Sequence, residues 1–255
     1  MRIQVLVLGL VSALCASAAN YQFCMINGAP AGCTAEDSAS TGTAPDSSPA
    51  YSLSLSDASS DFADIYLTGI NATLATTSAT FSAYVPGAAL NGDNASLSPY
   101  AYFTINPYGT TLGAGDPYAL VIASTSGFTS SNDGWYTDGI NANSTVHIVL
   151  VNWTAADAGI TNPDWLTCCS DLPTLGQLLS VSIPATGSEA ALTWGDTNVY
   201  KARVAAGDWG NSGTYQAYVG NFDVETSPEP GTLVLLGSAV LVLAGVRRRF
   251  GSIKS

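Results

Sequence analysis

The chain has 255 residues, with 19 acidic side chains, 7 basic ones and a single histidine. Five of the seven bases (Arg2, Arg247, Arg248, Arg249 and Lys254) lie at the two ends. Residues 20–227 therefore hold 18 acids against Lys201 and Arg203, a net charge of about −16. Such a body repels a phosphate backbone, which excludes nucleic-acid binding. Abundant Ser, Thr, Gly and Asn with few charges suit a protein that works outside the cell.

Arg2 and the free amine form a short positive start, residues 5–14 are apolar apart from Gly9 and Ser12, and small residues follow at Ala16, Ser17, Ala18 and Ala19. This order predicts a secretory signal peptide over residues 1–19, cut after Ala18 or Ala19. The apolar run is too short to span about 30 Å of hydrocarbon. Cys15 falls within the discarded segment, because Leu14 precedes it where a lipoprotein site needs a small residue.

Four cysteines then remain: Cys24, Cys33, Cys168 and Cys169. An even number in an exported chain points to disulfides rather than metal or redox chemistry. A zinc site would lack histidine support, and no pattern calls for a cofactor. Cys24 and Cys33 flank a segment with Gly28, Pro30 and Gly32 that closes easily. The adjacent Cys168 and Cys169 make a strained ring if they bond to each other. The alternative joins both to Cys24 and Cys33 and staples the N-terminal segment to the body, and the balance tips toward it. Residues 34–50, rich in Ser, Thr, Ala, Pro and acids, read as a loop or linker, so residues 20–50 form a cysteine-containing segment ahead of the main domain.

From residue 51 the pattern is that of strands. Tyr51, Leu53 and Leu55 alternate with serines. Further β-branched or aromatic runs lie at 81–85, 100–104, 118–122, 146–153, 178–183, 191–194, 199–204 and 215–224. Clusters of Gly, Asn and Asp at 91–94, 132–134, 138–139 and 210–211 separate them. This predicts an all-β domain over 51–226, an antiparallel, jelly-roll-like sandwich. Asn162 is placed to cap a short helical turn, with Pro163 at its first position. Leu172-Pro173-Thr174-Leu175-Gly176 lies mid-chain and lacks a Thr-Gly junction, so it is no sortase signal.

Candidate ligand-binding residues are few. Trp135, Tyr136 and Trp209 fall in loop-like Gly/Asp/Asn sequence, where aromatics either stack on sugar rings or plug the edge of the core. Asp133, Asp138, Asn141 and Asn143 gather oxygen ligands of the kind calcium favours. Their spacing matches no EF-hand, and turn chemistry explains them equally well. His147 alternates with Val149 and Val151 on a strand and has no paired nucleophile. No arrangement points to catalysis, since a pair of carboxylates can be picked from any chain this acidic.

At the C-terminus Pro228-Glu229-Pro230 is followed by sixteen uncharged residues, 231–246, and then by Arg247, Arg248 and Arg249. Sixteen helical residues span about 24 Å, and the arginines hold their end in the cytoplasm. This arrangement over residues 227–255 resembles the PEP-CTERM sorting tail. The resemblance implies a transmembrane helix over 231–246 and recognition at the inner membrane by an exosortase-like processing enzyme, which cuts near the Pro-Glu-Pro motif. Gly231 departs from the small hydroxyl residue usual at its position. The implied function is that of a non-catalytic protein of the cell surface or extracellular matrix, associated with exopolysaccharide. The alternative is a polysaccharide-binding sandwich that uses loop aromatics, with or without calcium.

Overall fold

The computed structural model describes residues 20–57, 61–86, 98–123, 134–167, 171–187, 189–207 and 214–227. The strands in chain order are β1 (Asn20–Phe23), β2 (Met25–Ile26), β3 (Ala29–Pro30), β4 (Thr34–Asp37), β5 (Ala39–Thr43), β6 (Pro49–Leu55), β7 (Phe62–Thr68) and β8 (Thr77–Tyr84). They continue with β9 (Tyr100–Asn106), β10 (Tyr118–Ala123), β11 (Trp135–Ile140), β12 (Val146–Val151), β13 (Ser182–Ile183), β14 (Leu192–Thr193), β15 (Asn198–Gly207) and β16 (Tyr215–Thr226).

Two six-stranded sheets carry the fold. The first runs β11-β8-β16-β6-β5, with β1 also paired to β16, and the second runs β12-β10-β9-β15-β7-β4. Alternation along the strands explains why the sheets pack together. In β8, Ala79, Phe81 and Ala83 are buried, while Ser78, Thr80, Ser82 and Tyr84 face out. In β10, Ala119, Val121 and Ala123 turn in. These inward sets join Tyr51, Leu53, Ile65, Phe103, Ile105, Ile148, Val204, Ala217 and Phe222 in one hydrophobic core. The expected all-β antiparallel sandwich is therefore present. The compact unit that contains it spans Tyr21–Glu225.

Several local expectations need correction. Residues 34–50 are not a linker: they supply β4 and β5, the edge strands of the two sheets. Edge strands need hydrogen-bond partners on one side only, so a polar, weakly hydrophobic sequence suffices there. Residues 135–140, read as loop and turn, form the edge strand β11, in register with β8 from Trp135↔Tyr84 to Ile140↔Ala79. Gly139 is there because a Cβ would strike the carbonyl oxygen of Ala79, not because the chain turns. β7 also escaped the sequence pattern, because Asp64 interrupts its apolar face-to-face alternation.

Residues 178–183 were expected to form a strand. They are split between a short α-helix, Leu175–Leu179, and the two-residue β13. Thr174 and Gln177 form a reciprocal capping box that starts this helix. The cap expected at Asn162 is present: its side chain accepts from the Asp164 backbone at 3.1 Å, ahead of the 3-10 turn Pro163–Leu166.

Cys24 is bonded to Cys33, so the favoured staple from both cysteines to Cys168 and Cys169 is overturned. The reason is local. β2 and β3 form a hairpin whose turn residues Asn27 and Gly28 both take positive φ, 53° and 76°, and this brings the two Cα atoms to 4.6 Å. Cys168 and Cys169, the predicted signal peptide, and the tail with its apolar run at 231–246 lie outside the described residues. Among the described residues no helix is long and apolar enough to cross a membrane.

Candidate functional site

The outward face of the first sheet carries two groups of aromatic rings. β8 contributes Tyr84, Ser82, Thr80 and Ser78 to this face, over a length of about 20 Å at strand rise. At one end Trp135 of β11 and Tyr218 of β16 flank Tyr84, with ring centroids 5.8 Å and 6.4 Å from it and edge-to-face planes. The Trp135 Nε1 donates to Asp46 at 2.6 Å. Asp46 is held below the usual carboxylate range, chiefly by the Ser48 backbone N–H and then by this indole. A Cβ on Gly220 would come within 2.8 Å of the Trp135 ring, so glycine there lets the indole approach the β16 backbone. All three rings are half-buried.

At the other end Tyr21 and Phe23 project from β1. They are 54% and 48% exposed, two of the three large hydrophobic side chains that stand exposed among the described residues. Their ring planes are parallel to within 5°, with centroids 6.1 Å apart. This follows from their i, i+2 spacing on one face of a strand. They border a groove of about 340 Å³ lined by Ser78, Ala79, Thr80, Asp223 and Glu225. The Tyr21 hydroxyl donates to Glu225 at 2.9 Å. The Asp223 side chain makes no hydrogen bond or ion pair with the described residues, and burial pushes its carboxyl up.

The strand bearing these rings is tied down from below. Cys24, next to Phe23, is fully buried; its N–H donates to Phe222 at 2.9 Å, and its sulfur is bonded to Cys33. The Tyr51 hydroxyl reaches this hairpin: it accepts from the Cys33 N–H at 3.1 Å and lies 3.1 Å from the Cys33 carbonyl. The platform is thus fixed by a disulfide, a ladder hydrogen bond and a buried tyrosine.

The outward face of the second sheet is different. Arg203 on β15 bonds Asp64 on β7, and its Nη1 lies 3.3 Å from Glu36 on β4. Lys201 stands 3.8 Å from Glu36, with its ammonium 3.9 Å from the Tyr66 ring centre. The Tyr102 hydroxyl donates to Asp64 at 3.3 Å. Burial raises the Asp64 carboxyl against the opposing pull of Arg203. This cluster pairs its charges internally.

The residues singled out in the sequence fall apart in space. Trp135 lies on the open face of the first sheet. Tyr136, one residue on, is partly buried and packs on the core, its ring centroid 6.4 Å from that of Phe81. Trp209 and Asp133 lie outside the described residues. Asp138 accepts from the Gly139 N–H at 2.8 Å within β11, and Asn141 accepts from the Asn143 N–H at 2.9 Å in the turn that follows it. The His147 Nε2 lies 3.4 Å from the Leu166 carbonyl. Among the described residues no three His, Cys, Asp or Glu side chains are grouped to hold a metal ion. Tyr21 and Phe23 went unnoticed in the sequence; their signal was an aromatic pair two residues apart, just ahead of a cysteine.

No family model matches the chain, and no curated protein matches it. Among solved structures it is similar to a family 11 carbohydrate-binding module from Clostridium thermocellum in complex with a mixed-linked tetrasaccharide. The identity is 8% and the TM-score 0.36, covering 83% of this chain and 90% of that one. A family 11 carbohydrate-binding module of the cellulosomal cellulase Lic26A-Cel5E of Clostridium thermocellum gives 7% and 0.36, covering 82% of this chain and 88% of that one. The glycoside hydrolase domain of Endo-D from Streptococcus pneumoniae R6 gives 11% and 0.32, covering 75% of this chain and 21% of that one. Likeness at this level leaves function to be argued from the residues of the chain itself.

Proposed function

We propose that this is an exported surface or matrix protein whose sandwich, a jelly roll in our reading of its strand order, binds polysaccharide without cleaving it on the outward face of the first sheet. The observation that carries this is the exposed, parallel Tyr21–Phe23 pair beside a groove lined by hydroxyls and carboxylates. A pyranose presents an apolar C–H face and an equatorial rim of hydroxyls. Flat rings meet the first, and Ser78, Thr80, Asp223 and Glu225 meet the second. The rings at Trp135, Tyr84 and Tyr218 extend the same face, so an extended chain rather than a single sugar fits it.

Polysaccharide pull-down with the full-length exported chain tests the reading. The Tyr21→Ala/Phe23→Ala variant should lose at least about tenfold in affinity, Trp135→Ala should lose less, and no new reducing ends should appear. Binding that is absent, or unchanged in the double variant, leaves a purely structural surface module. Export and sorting rest on the signal-peptide pattern and on Pro228-Glu229-Pro230 with its apolar run and triple arginine. The intact mass of the protein from its native host decides this: a mass that retains residues 231–255 rules out processing of the tail.

A further inference from the structure

We infer that the groove beside Tyr21 and Phe23 selects glycans bearing protonated amino sugars. This rests on the polysaccharide-binding reading above and names its ligand class. The groove and its two rings make the site; the carboxylates set the sign of charge it accepts. Asp223 and Glu225 stand at i, i+2 on β16 and both line the groove. Glu225 already accepts one hydrogen bond from Tyr21, which fixes its carboxylate along the wall. Asp223 has no partner among the described residues.

No positive side chain reaches this face from residues 20–227. The two bases of that span, Lys201 and Arg203, sit on β15 in the other sheet, paired to Glu36 and Asp64. A uronate or sulfated sugar would meet two carboxylates and no cationic side chain from residues 20–227. A neutral sugar would use their acceptor capacity but leave their charge unopposed. A glucosamine unit brings an ammonium that donates to Asp223 or Glu225 in a charge-assisted bond. The uncompensated acids of the groove thus favour an ammonium-bearing sugar, and its exposed rings hold the pyranose face.

The test compares three probes against the full-length exported chain by titration calorimetry: a glucosamine tetramer, the fully N-acetylated tetramer and a galacturonate tetramer. The glucosamine tetramer should bind about tenfold tighter than the acetylated one, and the galacturonate tetramer weakest. A polycation is also drawn to the chain's general negative charge, so the Asp223→Asn/Glu225→Gln variant is decisive. It removes two of 18 acids, which barely alters the general field, yet it should bring the glucosamine affinity down to that of the acetylated probe. Tyr21→Ala should weaken both amino-sugar probes together. Equal binding of the glucosamine and acetylated tetramers, or an unchanged preference in the double variant, overturns the amino-sugar assignment and leaves polysaccharide binding standing. If no tetramer binds and pull-down is also negative, both readings fall.

Discussion

The two outward faces of the sandwich use the same residue types to opposite ends. Each presents tyrosines and carboxylates. On the second sheet Lys201 and Arg203 neutralise Glu36 and Asp64, and Tyr66 and Tyr102 close around the four charges. On the first sheet Asp223 and Glu225 meet no basic side chain among the described residues, and Tyr21 and Phe23 are exposed. With two bases in the whole body, their position on β15 decides which face is internally satisfied and which keeps its charge for a ligand. Carboxylates on a sheet are structural where a cation lies in register and available where none does.

The sharpest way to break this contrast is Arg203→Met. The Asp64 side chain has no solvent exposure, and Arg203 is its cationic partner. Removing one member of a buried pair leaves an uncompensated charge and costs about 3–5 kcal/mol. Urea unfolding of the variant should show that loss, and Arg203→Met/Asp64→Leu should recover much of it. A loss under about 1 kcal/mol for Arg203→Met would mean that the pair behaves like an exposed one, and the two faces would then not differ as described.

The next largest effect concerns what holds the open rings in place. Cys24 and Cys33 are nine residues apart, and a loop of that size corresponds to about 2–3 kcal/mol of chain entropy. Cys24→Ser/Cys33→Ser should therefore lower stability by about that amount. It should also weaken polysaccharide binding, because β1 loses its anchor beside Phe23. Cys33 leads directly into β4, whose Glu36 stands 3.3 Å from Arg203, but the buried partner of Arg203 is Asp64 on β7, so the Arg203→Met penalty should change little between the two backgrounds. A non-additive result would show that the two faces are mechanically coupled.

Much of this architecture was legible in the sequence, and the failures have physical causes. β6, β9, β10, β12, β15 and β16 announced themselves because both faces, or one clean face, are apolar. The edges did not. β4 and β5 looked like linker because an edge strand with one partner tolerates serine and threonine. β11 looked like a turn because Gly139 is required by close backbone approach, while Asp-Gly is also a turn signature. The face itself was half visible: Trp135 was singled out, but periodicity alone could not assign it outward and Tyr136 inward. That assignment needs the register Trp135↔Tyr84. Tyr21 and Phe23 stayed hidden because their role depends on β16, two hundred residues away. The disulfide was misjudged because the geometry of the Asn27-Gly28 hairpin outweighs the reluctance of adjacent cysteines to pair, which says nothing about Cys24 and Cys33.

The smallest expected effect is the most diagnostic of an unpaired face. Burial raises the Asp223 carboxyl, so in the folded chain it takes up its proton at higher pH than in the unfolded one. A carboxyl whose folded pKa is raised contributes stability that is fully present below its unfolded value, about 3.9, and lost as pH rises through the folded value. Asp223→Asn removes this penalty. The variant should match the parent near pH 3 and exceed it at pH 7 by a few tenths of a kcal/mol, about what a half-exposed group leaves after solvent screening. The hydrogen-bonded Asp196, held low mainly by Thr193, has the opposite sign: its contribution is present at neutral pH and lost as pH falls through its folded value. Asp64 and Asp196 are common to parent and variant, so the difference between the two stability curves isolates Asp223. If Asp223→Asn is instead less stable at pH 7, the carboxylate has a cationic or hydrogen-bonding partner in the folded protein. The first face would then resemble the second, with no free charge to offer an amino sugar.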